Sequence, residues 1–353
     1  MMLAEFDALY GAFVAVPCGL LALLIALYTI GQRAKVHRIV MLVAWNTTFS
    51  LFLISLLLAG GETWFRFFVD RSDAIANMLV SQRWYQRHYQ LNAQGWRDDV
   101  DYHPELQDKK RITFLGDSFT EGVGIEDIRE RFSNRLRSWH TDFEIHILAK
   151  SGFESDDHLR TVQRLGTLHY QTDAVVLVYT LNDVSFADPY YRGMAMYTWR
   201  FEQSMGFLRR NSYFLNTFSY RWTILRSPYI QQHVARIQDA YRGETWQTNA
   251  DVLRRLHRRV HAAEIPFLVV TFPYLSSLDD YPFAEAHQRL GRLWQTEGVP
   301  HLDLLPVLRS HAGAGTSLIV NRWDHHPNET ANQIAARAIQ GFLASEGVLA
   351  PIE

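Results

Sequence analysis

Ile112-Thr-Phe-Leu-Gly-Asp-Ser-Phe-Thr-Glu-Gly122 is the stretch on which the fold of this chain turns. An apolar run from Arg111 ends at Gly116, and a helical pattern follows from about Glu126 to Trp139, so the segment reads as strand, tight turn and helix. The alternation recurs. Glu144 to Ala149 precedes a helix near Asp156 to Leu165, and Asp173 to Tyr179 is an almost unbroken apolar strand. Ile265 to Phe272, a helix at about Pro282 to Glu297, a short strand at His301 to Leu304 and a last helix at about Glu329 to Leu343 complete it. Continuous apolar strands alternating with helices belong to a parallel sheet covered on both faces. The expected architecture is a three-layer α/β/α sandwich with a central parallel sheet.

Two regions depart from this pattern. From Asp183 to about Arg242 no strand is evident, but aromatics and arginines abound, among them Trp199, Arg209, Arg210, Tyr213, Tyr220, Trp222 and Arg226. This reads as a helical insertion, either a solvated excursion with its own small core or a lid or membrane-facing surface. At the start of the chain, Leu9 to Ile30 and Ile39 to Gly60 contain no charged residue. Each is long enough to span about 30 Å of hydrocarbon at 1.5 Å per residue, so the sandwich is expected to be preceded by two transmembrane helices. Asn46, Thr47, Thr48 and Ser50 give the second a polar face suited to the first helix or to a membrane-protein partner.

Charge sets the expected topology. The connection between the spans carries Arg33, Lys35 and Arg38, whereas the leading segment has Glu5 and Asp7 and no basic side chain. The connection is therefore expected in the cytoplasm, with the remainder on the periplasmic side of a bacterial inner (cytoplasmic) membrane. The acidic start lacks the basic region of a cleaved signal peptide. Trp64, Phe65, Phe67 and Phe68 are placed to anchor the outer interface. Asp70 to Lys110 is polar, with breakers at Asn92, Gly95 and Pro104 and a helix-like stretch from Ile75 to Tyr89. The expected domains are an anchor over 1–68, a linker and lead-in over 69–110, and a catalytic domain over 111–345 with its insertion at about 184–245.

Composition excludes several classes. At 353 residues and 48% hydrophobic content, a large core is within reach, and a net charge of -2 without a basic patch argues against nucleic acid. One cysteine, Cys18, permits neither a disulfide framework nor a cysteine-based zinc site within one chain. His257 and His261 have metal-ligand spacing, but they share a helix with Arg254, Arg255, Arg258 and Arg259 and read as a solvated basic face. No metal or other cofactor is expected.

A serine straight after a buried strand sits at the carboxyl edge of the sheet, where open α/β folds place their ligands. Ser118 is so placed, although a Gly-Asp-Ser triplet by itself also fits a turn with a helix cap. Serine is a weak nucleophile and needs a histidine base with an orienting carboxylate. Asn321-Arg-Trp-Asp-His-His-Pro-Asn328, just before the last helix, supplies both, although such a cluster alone also fits a metal site.

Taken in this order, these elements resemble the SGNH family of hydrolases, also called GDSL hydrolases, over roughly residues 111–345. The first block is similar to Gly116-Asp117-Ser118-Phe119, with phenylalanine in the usual leucine place. The second is similar to Ser151-Gly152 after the second strand, and the third to Thr180-Leu181-Asn182-Asp183, with threonine for glycine. The fourth is similar to Asp324-His325-His326-Pro327, one residue tighter than the common Asp-x-x-His. Leu91-Asn-Ala-Gln-Gly-Trp-Arg97 resembles the lead-in of membrane-tethered members. The resemblance implies a flavodoxin-like fold and a catalytic set of Ser118, Asp324 and His326, with His325 the second candidate for the base. It implies an oxyanion hole of Ser118, Gly152 and Asn182, with Asp117 and Asp183 bracing the loops. The implied activity is that of a serine esterase or O-acyltransferase on an extracytoplasmic glycan. A lipid or thioester hydrolase and a non-catalytic subunit of a membrane O-acyltransferase are the alternatives.

Overall fold

The structure is a computed structural model that describes residues 7–33, 37–73, 77–106, 108–313 and 316–351. Glu5, Lys35 and Ile75 lie outside the described residues. In chain order, α1 (Ala8–Arg33) and α2 (Arg38–Thr63) come first, α2 running on through a π turn to Phe68. Next are α3 (Leu79–His88), β1 (Lys110–Gly116), α4 (Ser118–Glu121), α5 (Phe132–Trp139), β2 (Phe143–Ala149), α6 (Ser155–Thr167) and β3 (Ala174–Thr180). A 3-10 turn, Leu181–Ala187, leads to α7 (Pro189–Gln203), α8 (Phe207–Asn211), α9 (Tyr213–Leu225), α10 (Pro228–Gln231), α11 (His233–Ala240) and α12 (Gly243–His261). The chain closes with β4 (Phe267–Phe272), α13 (Ala284–Thr296), β5 (His301–Asp303), α14 (Leu305–His311), β6 (Ile319–Asn321), β7 (Asp324–Pro327) and α15 (Glu329–Ser345).

These elements form two compact units. One comprises the described residues of Met1–Arg71, Ile75–Trp84 and Trp199–Ser227; the other comprises those of Ser72–Ala74, Tyr85–Thr198 and Pro228–Glu353. The helical insertion thus divides, its middle part, Trp199–Ser227, belonging to the unit of α1 and α2.

In the first unit α1 and α2 pack together, and the spans Ala8–Arg33 and Arg38–Phe68 are long and apolar enough to cross a membrane. Their outward side chains, such as Ile25 and Leu57, are apolar and exposed, which water does not favour and lipid does. Of the four polar residues noted in α2, only Thr48 is buried; Asn46, Thr47 and Ser50 stay exposed.

The second unit is an α/β/α sandwich on a five-stranded parallel sheet of order β2-β1-β3-β4-β5, the flavodoxin-like order. The β-branched run of β3 is buried at every position, as a central strand covered on both faces must be. Gly116 at the end of β1 pairs with Ala149 of β2 and Val178 of β3, so the loops after these strands leave from one edge. β6 and β7 form a small antiparallel hairpin apart from the main sheet. One element starts later than its pattern suggested. The helix expected from Glu126 begins at Phe132, because Asp127 caps a separate 3-10 turn, Ile128–Glu130, and Arg131 is extended.

Candidate active site

Ser118 opens α4 directly after β1. Its approach requires Gly116, where a Cβ would come within 2.1 Å of the Thr120 hydroxyl. Asp117 caps α4 by accepting from the Phe119 N–H at 2.9 Å, so the first turn begins at the serine. Ser118 keeps 9% of its surface exposed, enough for its hydroxyl to be reached.

The hairpin brings the acid and the base together. In a strand, residues two apart share a face, so Asp324 and His326 on β7 lie side by side while His325 points away into solvent. The tight Asp-x-His spacing therefore does what a longer spacing must do through a turn. Asp324 Oδ1 lies 2.5 Å from His326 Nδ1 and accepts the His326 backbone N–H at 3.2 Å. His326 Nε2 lies 2.9 Å from Ser118 Oγ. Phe119, in the leucine place, sets its ring edge to the imidazole at 5.3 Å and packs against Phe272 of β4. Burial pushes the Asp324 carboxyl up, but hydrogen bonds from His326 and Ser72 outweigh it and hold its pKa below the usual value. Asp324 is thus an anion at neutral pH, able to orient the imidazole with its proton on Nδ1 and Nε2 free to accept from serine.

Ser72 has no signal in the sequence. It lies in the linker, 252 positions from Asp324, yet its hydroxyl donates to Asp324 Oδ2, and its carbonyl accepts from Asn321 Nδ2 at 3.1 Å. Both oxygens of the acid are therefore engaged, one by His326 and one by Ser72. Ser72→Ala is expected to lower kcat roughly tenfold, the scale of one hydrogen bond to a charged group. It removes an interaction that lowers the Asp324 pKa, so that pKa is expected to rise; an NMR titration of the Asp324 carboxyl that shows no rise would refute this role.

The candidate oxyanion donors Gly152 and Asn182 lie in the loops that follow β2 and β3. Gly152 follows β2 at φ +82°, a conformation other residues adopt only with strain, and its N–H has no protein acceptor among the described residues. Glu121, buried in α4, holds this loop by accepting the Ser151 N–H at 2.7 Å. Asn182 sits in the 3-10 turn after β3. Its Nδ2 donates to Asp117 Oδ2 at 3.1 Å, which leaves one amide proton for a ligand. Tyr274, after β4, donates to Asn182 Oδ1 at 3.3 Å and so fixes which way the amide points. Burial pushes the Tyr274 pKa well up and keeps the phenol a donor. Thr180, in place of a glycine, keeps ordinary extended backbone and donates its hydroxyl to Asp117 Oδ1 at 3.1 Å.

Asp183 lies behind this layer, fully buried, its Oδ2 3.1 Å from His158 Nε2. Burial lowers His158 to about 4 and raises Asp183 well above the usual carboxylate value, with the nearby Asp117 adding to the rise. The lead-in is a fastening as well. Asn92 Oδ1 accepts the Gln94 and Trp96 N–H groups, and the buried Arg97 guanidinium donates to the carbonyls of Gly122 and Ile125 just beyond α4.

Elsewhere, His257 and His261 lie on α12, with His257 stacked on Phe267. Among the described residues, one group has atoms spaced to hold a metal: Glu154, Asp156 and Asp157, with ligand atoms within 4.8 Å of one another. These residues start α6, where acids complement the helix dipole, and Arg160 binds Asp156 at 2.5 Å and Asp157 at 2.6 Å. Burial, with Asp156, Asp157 and Asp183 nearby, raises Glu154 to about 7.

No protein-family model matches the chain, and no curated protein matches it significantly. Several solved structures are similar to it. One is TesA, 13% identical over 68% of this chain and 100% of that one, with a TM-score of 0.42. Another is the extracellular lipase from Streptomyces rimosus, 15% identical over 66% and 99%, with a TM-score of 0.45. A third is a member of the lipolytic protein G-D-S-L family from Veillonella parvula, 12% identical over 67% and 97%, with a TM-score of 0.38. Likenesses this distant leave the chemistry of the site to be argued from its own residues.

Proposed function

We propose that this chain is a membrane-tethered serine ester hydrolase or acyltransferase of SGNH type that removes or transfers O-acyl groups, acetyl above all, on an extracytoplasmic glycan. The observation that carries this reading is the unbroken hydrogen-bonded line from Ser118 through His326 to Asp324, with Asn182 bonded to the neighbouring Asp117. His326 Nε2 takes the Ser118 proton as Oγ attacks the ester carbonyl. The oxyanion is held by the Ser118 and Gly152 N–H groups and the Asn182 amide. When the C–O bond of the ester breaks, the imidazolium gives that proton to the departing alcohol, leaving an acyl-Ser118. Water or a sugar hydroxyl then surrenders a proton to His326 and takes the acyl group, which restores the serine.

The two candidate spans support tethering, and Arg33 and Arg38 beside their connection support an extracytoplasmic site at a bacterial inner membrane. The test is incubation of the full-length protein with a serine-reactive fluorophosphonate and a chromogenic acetyl ester. Failure of the wild type to label sinks the proposal; faster turnover of long-chain esters than of acetylated sugars replaces the glycan with a lipid. Asn182→Ala is expected to lower kcat about a hundredfold or more with little change in KM, because its amide meets charge that exists only in the transition state. Steady-state kinetics on the acetyl ester check it.

A further inference from the structure

α9 is built inside out for a helix in water. Its buried residues are polar, Asn216 and Thr217 at 4% exposure and Tyr220 at 3%, whereas Phe218, Trp222 and Leu225 are 57%, 50% and 64% exposed. Positions 218, 222 and 225 recur at helical spacing and make one outward apolar stripe. Asn216 and Tyr220 are bonded on this inner side, while the Thr217 hydroxyl has no partner among the described residues. Asn216 accepts the Leu79 N–H at 3.0 Å and donates to the Arg209 carbonyl, and the Tyr220 hydroxyl donates to Glu202 at 3.0 Å. The inversion is thus held by specific bonds. The stripe extends onto α8, where Phe207 and Leu208 are also exposed.

The same unit fixes where this surface lies. Glu62, buried in the last turn of α2, accepts the Ser212 hydroxyl at 2.6 Å and the Tyr213 and Phe214 N–H groups at 3.1 and 3.0 Å, capping the start of α9. Arg66 pairs with Glu62 at 2.8 Å and with Asp7 at 2.9 Å, so the fastening includes the segment entering α1. Gly61 leaves room for the Phe214 ring, which would stand 2.9 Å from a Cβ there. α9 is therefore clamped to the end of a candidate span, level with exposed Trp64 and Phe68. Arg209, Arg210 and Arg226 are exposed around it, and the Arg226 guanidinium lies 4.0 Å over the Trp222 ring.

We infer that α8 and α9 form a third membrane contact, seated at the boundary between headgroups and acyl chains of a bilayer containing anionic phospholipid. Exposed apolar side chains continuous with those of α2 supply the buried face, aromatics suit the interface, and the arginines meet phosphate. The inference rests on α1 and α2 crossing the membrane and not on the chemistry of Ser118. The test uses the full chain in vesicles of phosphatidylcholine and phosphatidylglycerol, in a Cys18→Ser background, with single nitroxide labels at Phe218→Cys and Leu225→Cys. Leu57→Cys, on the exposed face of α2, is the lipid reference, and Asp251→Cys, 72% exposed, is the aqueous one. The expected result is an oxygen-to-nickel-chelate accessibility ratio at both sites several-fold above that at Asp251→Cys and approaching that at Leu57→Cys. A ratio equal to the aqueous reference overturns the inference. So does low access for both reagents, the mark of coverage by a second copy or another protein, and so does an aqueous reading at Leu57→Cys, which removes the spans. Leu225→Cys decides if Phe218→Cys does not fold.

Discussion

Replacing Ser118 with alanine is expected to abolish fluorophosphonate labelling and to cut kcat on an acetyl ester by about a million-fold, the usual scale for removing the nucleophile of such a triad. The reason is structural. Ser118 is the hydroxyl placed 2.9 Å from the His326 imidazole, so no neighbouring group is positioned to inherit its role. Folding should survive, because the cap of α4 is made by Asp117 and the close approach of its first turn by Gly116, neither of which uses the Ser118 hydroxyl. A Ser118→Ala protein that keeps wild-type melting behaviour and a residual rate from the oxyanion donors alone is the expected pattern. Retention of labelling in this variant would place the nucleophile elsewhere.

The second large effect is expected at Asp324. Asp324→Asn is nearly isosteric, yet it should lower kcat/KM about ten-thousand-fold, because an amide no longer holds the proton on Nδ1 and the imidazole presents the wrong tautomer to serine. Asp324 Oδ1 receives both the ring and the backbone N–H of His326, so the substitution disturbs orientation and charge together. The paired control is His325→Ala. That side chain lies on the other face of β7, exposed, and its removal should leave kcat/KM within a few-fold of wild type. Equal losses at His325 and His326 would contradict the geometry.

Much of this was legible in one dimension. The strands announced themselves because a parallel sheet buried on both faces favours apolar residues, and Ala174 to Tyr179 is such a run. The two candidate spans were legible because a bilayer demands some twenty uncharged residues in a row. Ser118 was a candidate because it follows a strand, whose carboxyl end is a fixed place in an open α/β sheet, and Gly152 and Asn182 because their blocks resemble those of the SGNH family.

Other features were not legible, and the reasons differ. Asp324, His325 and His326 were adjacent letters, and periodicity could not show that they form a strand of two-residue repeat; the hairpin made that choice, and with it which histidine faces the serine. Ser72 and Tyr274 carry no local pattern, since a serine in a linker and a tyrosine after a strand are common, and only chain packing brings them to Asp324 and Asn182. α9 was the most ambiguous in sequence. Its aromatics and arginines suited a small core, a lid or a membrane-facing surface alike; a helix's outward face is set by what its inward face can bond, and Asn216 and Tyr220 find their partners inside. Sequence by itself determined the strand order's raw materials, the two long apolar helices and the residue types of the site, because these depend on neighbours along the chain. Tertiary structure alone decided which side chains meet, because a hydrogen bond between residues 72 and 324 depends on distance in space, which no local pattern encodes.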